Sequence, residues 1–217
     1  MGKNSAHRTY HRKDGSIVPS TTTVLTILNK PFLVKWAWQM GRDGIDYAKM
    51  RDNAGDIGTL VHYLILCHLK HEAPNTSEYS QKDIATAQIA LAKYHSWESQ
   101  HKVEPLYIES PLVSERFGYG GTIDLLAKVD GAKILIDFKT SKGIWPDYAY
   151  QLASYSMLLK EAGVDVEDVR ILRFGKDVNS DFEERRFGTS LELQWRVFLA
   201  CLEIYNIKKQ LQESVEK

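Results

Sequence analysis

The stretch that most constrains this chain is Tyr119–Ser141, YGGTIDLLAKVDGAKILIDFKTS. Two alternating apolar runs flank Asp130-Gly131, and Asp-Gly between such runs is the strongest short-range sign of a β-hairpin. With these two as the central turn residues, Val129 faces Ala132; counting back along both arms, Asp124 faces Asp137. Directly opposed side chains of an antiparallel pair lie roughly 4.5–5.5 Å apart at Cβ, and like charges there repel. Two opposed carboxylates therefore require a cation between them or a shared proton. Lys139 follows Asp137 by two residues, and residues i and i+2 of a strand share a side. The hairpin thus predicts Asp124, Asp137 and Lys139 on one face. Ile134, Ile136 and Phe138 form the other, which is fit for burial. A single β-bulge would shift this register.

At 217 residues the chain suits one domain, or one core with a helical addition. A hydrophobic content of 43% and five Trp support a real core. Lys+Arg and Asp+Glu both number 28, which excludes a binder driven by overall positive charge; any nucleic-acid contact has to be local. Residues 1–50 do carry eight Lys/Arg against three Asp/Glu. That excess reads equally as a solvated surface or as a basic arm tracking phosphates. Cys67 and Cys201 stand without a CxxC or a His-Cys cluster. Their isolation argues against a disulfide scaffold, a zinc site and an iron–sulfur cluster, and fits a reducing cytoplasm. The polar start MGKNSAHRTYHRKDG is unlike a signal peptide, and no apolar run is long enough to span a membrane. No GxxxxGK[ST] is present, so no nucleotide-driven motor is expected.

In chain order, residues 8–18 form a small hairpin about Asp14-Gly15, and Ser20 or Thr21 caps a short helix over 22–29. Pro31 opens a helix running to about Met50, with Leu33, Trp36, Ala37 and Met40 at helical spacing. From Gly55, GDIGTLVHYLILCHLKH makes a largely buried helix whose Gly55 and Gly58 allow close packing. His62 within it reads first as a core residue. A helix over 81–100 and a strand over 103–114 follow. Glu109 in that strand is either an exposed edge charge or a third carboxylate. A helix over 146–161 places Gln151 and Tyr155 on one face. Strands over 164–174 and 182–189 precede a final helix from about Leu191, with an apolar stripe of Leu193, Val197, Cys201 and Ile204. The order predicts an α/β fold with a mixed β-sheet, helices on both faces and a helical N-terminal cap. The divisions of this one domain are 1–101 (mostly helical), 102–190 (sheet and the Gln/Tyr helix) and 191–217 (C-terminal helix).

Two carboxylates beside a Lys narrow the chemistry. A glycosidase-type acid/base pair has no need of so close a Lys. A Schiff-base Lys wants an apolar pocket that lowers its pKa, whereas adjacent carboxylates raise it. Hard divalent cations take oxygen ligands, and Mg²⁺ typically binds through one or two carboxylates plus phosphate and water. Such a site serves in-line displacement at phosphorus. A plain Asp–Lys salt bridge on an exposed sheet is the competing reading.

The segments GGTID (120–124), IDFKTSK (136–142) and QLASY (151–155), with PSTTTVL (19–25) and GTLVHYLI (58–65) upstream, resemble the PD-(D/E)XK nuclease superfamily. The resemblance is to its RecB-like branch of phage-type and mitochondrial genome-maintenance exonucleases, and spans roughly 19–159. It implies a restriction-endonuclease-like core and Mg²⁺ or Mn²⁺ held by His62, Asp124, Asp137 and the main-chain carbonyl of Phe138. Lys139 would orient or help deprotonate the attacking water, or offset charge on the phosphorane. Gln151 and Tyr155 would line the site, and Glu109 would match a strand carboxylate of many members. The iron–sulfur members need four cysteines, which this chain lacks. The expected activity is that of an exonuclease on single-stranded DNA or DNA ends in repair, recombination or replication. A structure-selective or restriction-like endonuclease and a non-catalytic DNA-binding or assembly subunit are the alternatives; the intact Asp–Asp–Lys set argues against the latter. Lys35, Trp36, Arg42 and Lys142 are candidate DNA contacts, with Trp36, Trp38 and Tyr47 candidates for base stacking. A helicase or recombination partner would be a separate chain, and the setting a bacterial or phage-infected cytoplasm.

Overall fold

The computed structural model describes residues 8–28, 30–179 and 181–215. The reading of the chain's first residues as unlike a leader concerns mostly residues outside this range, as does position 29; the helix expected over 22–29 is a shorter one, Thr21–Leu25, with Thr26 at its C-cap.

The elements in order are β1 (Tyr10–His11), β2 (Ile17–Val18), α1 (Thr21–Leu25), α2 (Pro31–Arg42), α3 (Tyr47–Leu69) and α4 (Gln81–Glu98). There follow β3 (Val103–Ser114), β4 (Tyr119–Val129), β5 (Ala132–Lys139), α5 (Pro146–Glu161), β6 (Asp168–Phe174), β7 (Phe182–Arg186) and α6 (Glu192–Val215). The main sheet has five strands in the order β3-β4-β5-β6-β7. Only β5 and β6 run parallel. A parallel pair needs a crossover, and α5 supplies it.

The central hairpin takes the register its turn demands: Val129 pairs with Ala132 and Leu125 with Ile136. Asp130 and Gly131 have φ of 53° and 94°, the double positive φ of a type I′ turn. The Asp130 carboxylate ties this turn to the end of α4's connection, accepting from the Lys102 N–H at 2.8 Å and meeting His101 Nδ1 at 2.7 Å.

Regularity ends at Asp124. Beyond Leu125↔Ile136, β4 and β5 have no further paired residues. On its other side β4 pairs Leu125 with Ile108 and Ile123 with Ser110, leaving Asp124 opposite an unpaired Glu109. Glu109 sits in the left-handed region at φ 47°, which no regular strand residue occupies. The side-chain alternation switches at this point. Ile108 and Leu125 pack into one core, whereas Ile123 and Leu112 pack into the other. Glu109 and Asp124 are thus presented at an irregular seam instead of on a flat strand face.

Two apolar layers sandwich the sheet. On one side α3 and α4 contribute Leu60, Ile65, Ala87 and Tyr94 against Ala127, Ile136, Phe138 and Phe174. On the other, α1, α5 and α6 contribute Val24, Leu152, Leu158 and Phe198 against Ile123, Leu126, Leu135 and Ile171. Such α/β/α layering buries both faces of the central strands, so β5 reads IleLeuIleAspPhe without a polar face except at Asp137.

Three expectations are corrected. The helix expected from Pro31 to about Met50 stops at Arg42, and the following one begins at Tyr47, not Gly55. Gly44 at φ 69° breaks the chain there, and Asp46 caps the new helix by accepting from the Lys49 N–H at 3.1 Å. Of the two helix glycines, Gly58 makes the close approach; a Cβ on Gly55 would meet open space. The expected α6 stripe is rotated in part: Cys201 is buried and Val197 packs on the core as expected, but Leu193 and Ile204 are exposed, and Phe198 and Leu202 are buried instead. The stripe that packs is set by Leu191 and Trp195, which dock on α5's layer before the helix is fully under way.

Candidate active site

At the Gly-Gly pair before Asp124, side chains of β1, α1 and α5 approach the sheet closely. A Cβ on Gly120 would lie 2.4 Å from the Tyr10 ring, and one on Gly121 would lie 2.5 Å from Tyr155 Cε1. Neither glycine has positive φ, so room, not backbone freedom, is the requirement. Through this gap the Pro19 carbonyl accepts the Gly120 N–H at 2.9 Å, and Thr21 Oγ1 bonds Ser154 Oγ of α5 at 3.0 Å. Tyr10 Oη bonds Thr122 Oγ1 at 2.8 Å. The PSTTT segment, α5 and the strand leading to Asp124 are therefore locked together. Ser20 caps α1, accepting from the Thr23 N–H at 3.0 Å.

At the end of this strand Asp124 Oδ2 accepts the Phe138 N–H at 2.8 Å. Its other oxygen, Oδ1, lies 3.6 Å from His62 Nδ1 of α3. His62 stands edge-on to the Phe138 ring at 5.9 Å. Its helix is brought near by Gly58, whose Cβ, if present, would be 3.0 Å from Thr140 Oγ1. Asp137 is almost fully buried, and its Oδ2 lies 2.5 Å from the Lys139 ammonium. The two form a close, buried ion pair. Lys139 in turn lies over the Tyr148 ring at 4.9 Å. On α5, Gln151 Nε2 donates to Tyr155 Oη at 2.8 Å.

The charges here are interdependent. Burial raises the Asp137 carboxyl above its usual range, Lys139 opposes this, and the neighbouring Asp124 adds to it. Burial also works against ionised Asp124, but His62, Lys139 and the Phe138 N–H outweigh it and hold that carboxyl low. For His62 and Lys139, burial disfavours the cation; the carboxylates overcome it, Asp124 first for His62 and Asp137 first for Lys139, and both groups are raised. Lys139 is therefore an ammonium at neutral pH. Tyr155 is pushed up by burial and by Asp137, so it remains a phenol.

A cavity of about 390 Å³ opens beside these groups, lined by Gly58, His62, Glu109, Thr122, Asp124 and Thr140 among others. Glu109 faces it while lying 3.6 Å from Lys70 Nζ. Asp137, Lys139, Gln151 and Tyr155 are on the α5 side of the same strand ends, outside that lining. Lys35, Trp36, Arg42 and Lys142 are not brought to the cavity. Trp36 packs edge-on against Tyr47 at 5.0 Å, and Arg42 lies over Trp38 at 5.0 Å. Trp38 is 58% exposed. Lys35 and Lys142 are exposed.

Tyr148 was not singled out by sequence, although 148, 151 and 155 fall on one face of α5 at i, i+3 and i+7 and the pattern was there to find. The donor set suits a hard divalent cation: two carboxylates and one imidazole. No helix of the described residues is long and apolar enough to cross a membrane.

No family model and no curated protein matches the chain. Among solved structures it is similar to a candidate exonuclease from Eubacterium rectale, with 11% identity over 72% of this chain and 66% of that one, at a TM-score of 0.49. It is also similar to an alkaline exonuclease, LHK-Exo, from Laribacter hongkongensis, with 16% identity over 73% of this chain and 84% of that one, at a TM-score of 0.35. The same protein in complex with dAMP gives 17% identity, 73% and 85% coverage and a TM-score of 0.35. The chain thus spans about two thirds of the length of the first of these.

Proposed function

We propose that this chain is a divalent-metal-dependent deoxyribonuclease of the PD-(D/E)XK type, acting as an exonuclease on single-stranded DNA or DNA ends. The observation that carries the reading is the convergence of Asp124 from β4, Asp137 and Lys139 from β5 and His62 from α3 at one corner of the sheet. An exposed Asp–Lys salt bridge does not account for it, because Asp137 is 2% exposed and a second carboxylate, Asp124, and an imidazole, His62, are gathered beside the buried Asp137–Lys139 pair. Burying several ionisable groups together costs stability, and a site that tolerates this cost supports a ligand role.

His62, Asp124, Asp137 and the Phe138 carbonyl would hold Mg²⁺ or Mn²⁺. When bound, the ion supplies Lewis acidity and activation of water for in-line displacement at phosphorus. Lys139 would orient or help deprotonate the attacking water, or offset negative charge on the phosphorane. Tyr148 holds the Lys139 ammonium through the cation–π contact. Tyr155 and Gln151 wall the α5 side as a fixed donor pair. The cavity along α3 is the entry for the strand, with Glu109 at its rim paired to Lys70.

The test is cleavage of end-labelled single-stranded DNA with Mn²⁺ or Mg²⁺. Lys139→Ala and Asp137→Ala should each lower the rate by at least about 10²-fold, the scale of losing one transition-state charge partner, with the fold intact by circular dichroism. Wild-type rates in the Lys139→Ala protein would sink the mechanism. Cutting of a circular single strand would show an endonuclease instead, and binding without product a non-catalytic DNA-binding subunit.

A further inference from the structure

The described residues hold a second cluster of ligating side chains, on the outer side of the α3/α4 layer. His68 in the last turn of α3 and His95 and Glu98 in the last turn of α4 place one nitrogen each and one carboxylate oxygen within 4.8 Å of one another. His68 Nε2 lies 2.7 Å from Glu98 Oε2, and His95 Nδ1 lies 3.6 Å from the same oxygen. The two imidazoles meet edge-to-face with centroids 4.4 Å apart.

We propose that His68, His95 and Glu98 form a binding site for a borderline transition-metal ion of the Zn²⁺ class, which clamps α3 to α4. The donor chemistry selects the class. Two imidazoles with one carboxylate suit Zn²⁺ or Co²⁺, whereas Mg²⁺ and Ca²⁺ prefer all-oxygen shells. A tetrahedral ion with bonds of about 2.0–2.1 Å spaces its ligands roughly 3.3 Å apart. The two His–Glu98 distances, 2.7 and 3.6 Å, lie on either side of that spacing, and the three donor atoms all fall within 4.8 Å of one another.

The site is also built from behind. Tyr94, fully buried, donates from Oη to Glu98 Oε1 at 3.0 Å. This bond fixes the carboxylate and turns Oε2 toward the two rings, the kind of outer support that metal ligands commonly have. Tyr94 also stands edge-on to His68 and His95, each at 5.9 Å. The backbones beneath are held by the buried Leu64, Ile65, Ala87 and Ala90. The three ligands remain 25–43% exposed, which leaves a fourth position for water. His68 lies six residues, about 9 Å of helix rise, from His62 on the same helix, so the clamp steadies the element that presents His62. This inference does not depend on the nuclease reading.

The test uses the full chain with Co²⁺ and Zn²⁺ and no DNA. Wild-type protein titrated with Co²⁺ should develop the intense visible absorption of a tetrahedral N/O site at one equivalent. His95→Gln, a change at a half-exposed position, and His68→Gln should each lose it, while Asp124→Asn should retain it. At a hundredfold excess over its Kd, Zn²⁺ should raise the Tm of wild type by about 5–11 °C; His95→Gln should not respond. The proposal is overturned if no tetrahedral spectrum appears, or if the spectrum survives His95→Gln and disappears in Asp124→Asn. The first outcome would leave His68–Glu98 as an ion pair only, and the second would assign the ion to the other corner of the sheet.

Discussion

Gly121→Ala tests how the candidate site is assembled, independently of any catalysis. The added Cβ would lie 2.5 Å from Tyr155 Cε1 and 3.1 Å from both Tyr155 Cδ1 and Thr21 Oγ1, where ordinary contact starts at 3.4 Å. The ring cannot swing away cheaply. Tyr155 is 5% exposed, its hydroxyl accepts from Gln151, and its helix is fixed by Leu152 and Leu158 in the core. Thr21 is equally held, through Ser154. Overpacking of a well-filled core costs about 1–3 kcal/mol. For a chain of this size that lowers Tm by roughly 2–12 °C, measurable by thermal and urea denaturation followed by circular dichroism. Because Gly121 has no positive φ, the penalty is steric and belongs to a pair. Tyr155→Leu in the same chain should recover part of it, with a coupling energy of about 0.5–3 kcal/mol in the double-mutant cycle. Gly131→Ala is the contrast: nothing lies within 4 Å, but φ is 94°, so its cost is one of backbone conformation and no neighbouring truncation relieves it. A Gly121→Ala protein with wild-type Tm, or strict additivity with Tyr155→Leu, would refute the close-approach argument.

Removing divalent cations with EDTA should abolish cleavage of labelled single-stranded DNA, and added Mn²⁺ should restore it. Phe198→Ala should destabilise by about 3–5 kcal/mol, whereas Leu193→Ala, at a position 67% exposed, should stay within about 0.5 kcal/mol; equal effects would contradict the observed rotation of α6. Asp130 gives a pH dependence. Its carboxyl is held below the usual range first by the His101 hydrogen bond and then by the Lys102 N–H. A depressed folded-state pKa means that the stabilisation is present above the unfolded value of about 3.9 and lost as pH falls through the folded one. Asp130→Asn keeps a residue that tolerates positive φ but removes the charge. Its Tm should therefore trail wild type at about pH 6 and converge with it as acidification carries the solution below the folded-state pKa. A gap that persists in acid would show that the charge is not what holds the turn.

Much of the framework was legible because it rests on local rules. Asp130-Gly131 dictates a type I′ turn, the turn dictates the register, and the register holds as far as Leu125 and Ile136. The bounds of the strand over Val103–Ser114 follow from β-branched and apolar runs between breakers. What misled was also local in origin. α2 and α3 read as differently divided because the strongly apolar run begins only after Gly55, yet Gly44, at positive φ, marks the break between the two helices. The α6 stripe was read from hydrophobic spacing alone. Leu193 and Ile204 satisfy that spacing as well as Phe198 and Leu202 do, and only docking on α5 chooses between them.

By itself, the sequence determined the hairpin, the adjacency of Asp137 to Lys139 and the helical pairing of Gln151 with Tyr155, since each lies within a few residues or one turn. The tertiary structure decided the rest. Glu109 at φ 47° and the broken pairing around Asp124 switch the strand's side-chain alternation, which no periodicity announces. His62 reaches Asp124 because Gly58 lets α3 close on Thr140, a contact across 82 residues of chain. Isolated cysteines argued against a zinc-type centre; the His95–Glu98 pair lies on one turn of α4, and His68 of α3 joins it only where the two helices pack. Such meetings depend on which faces the core selects, and that choice is made by the whole chain at once.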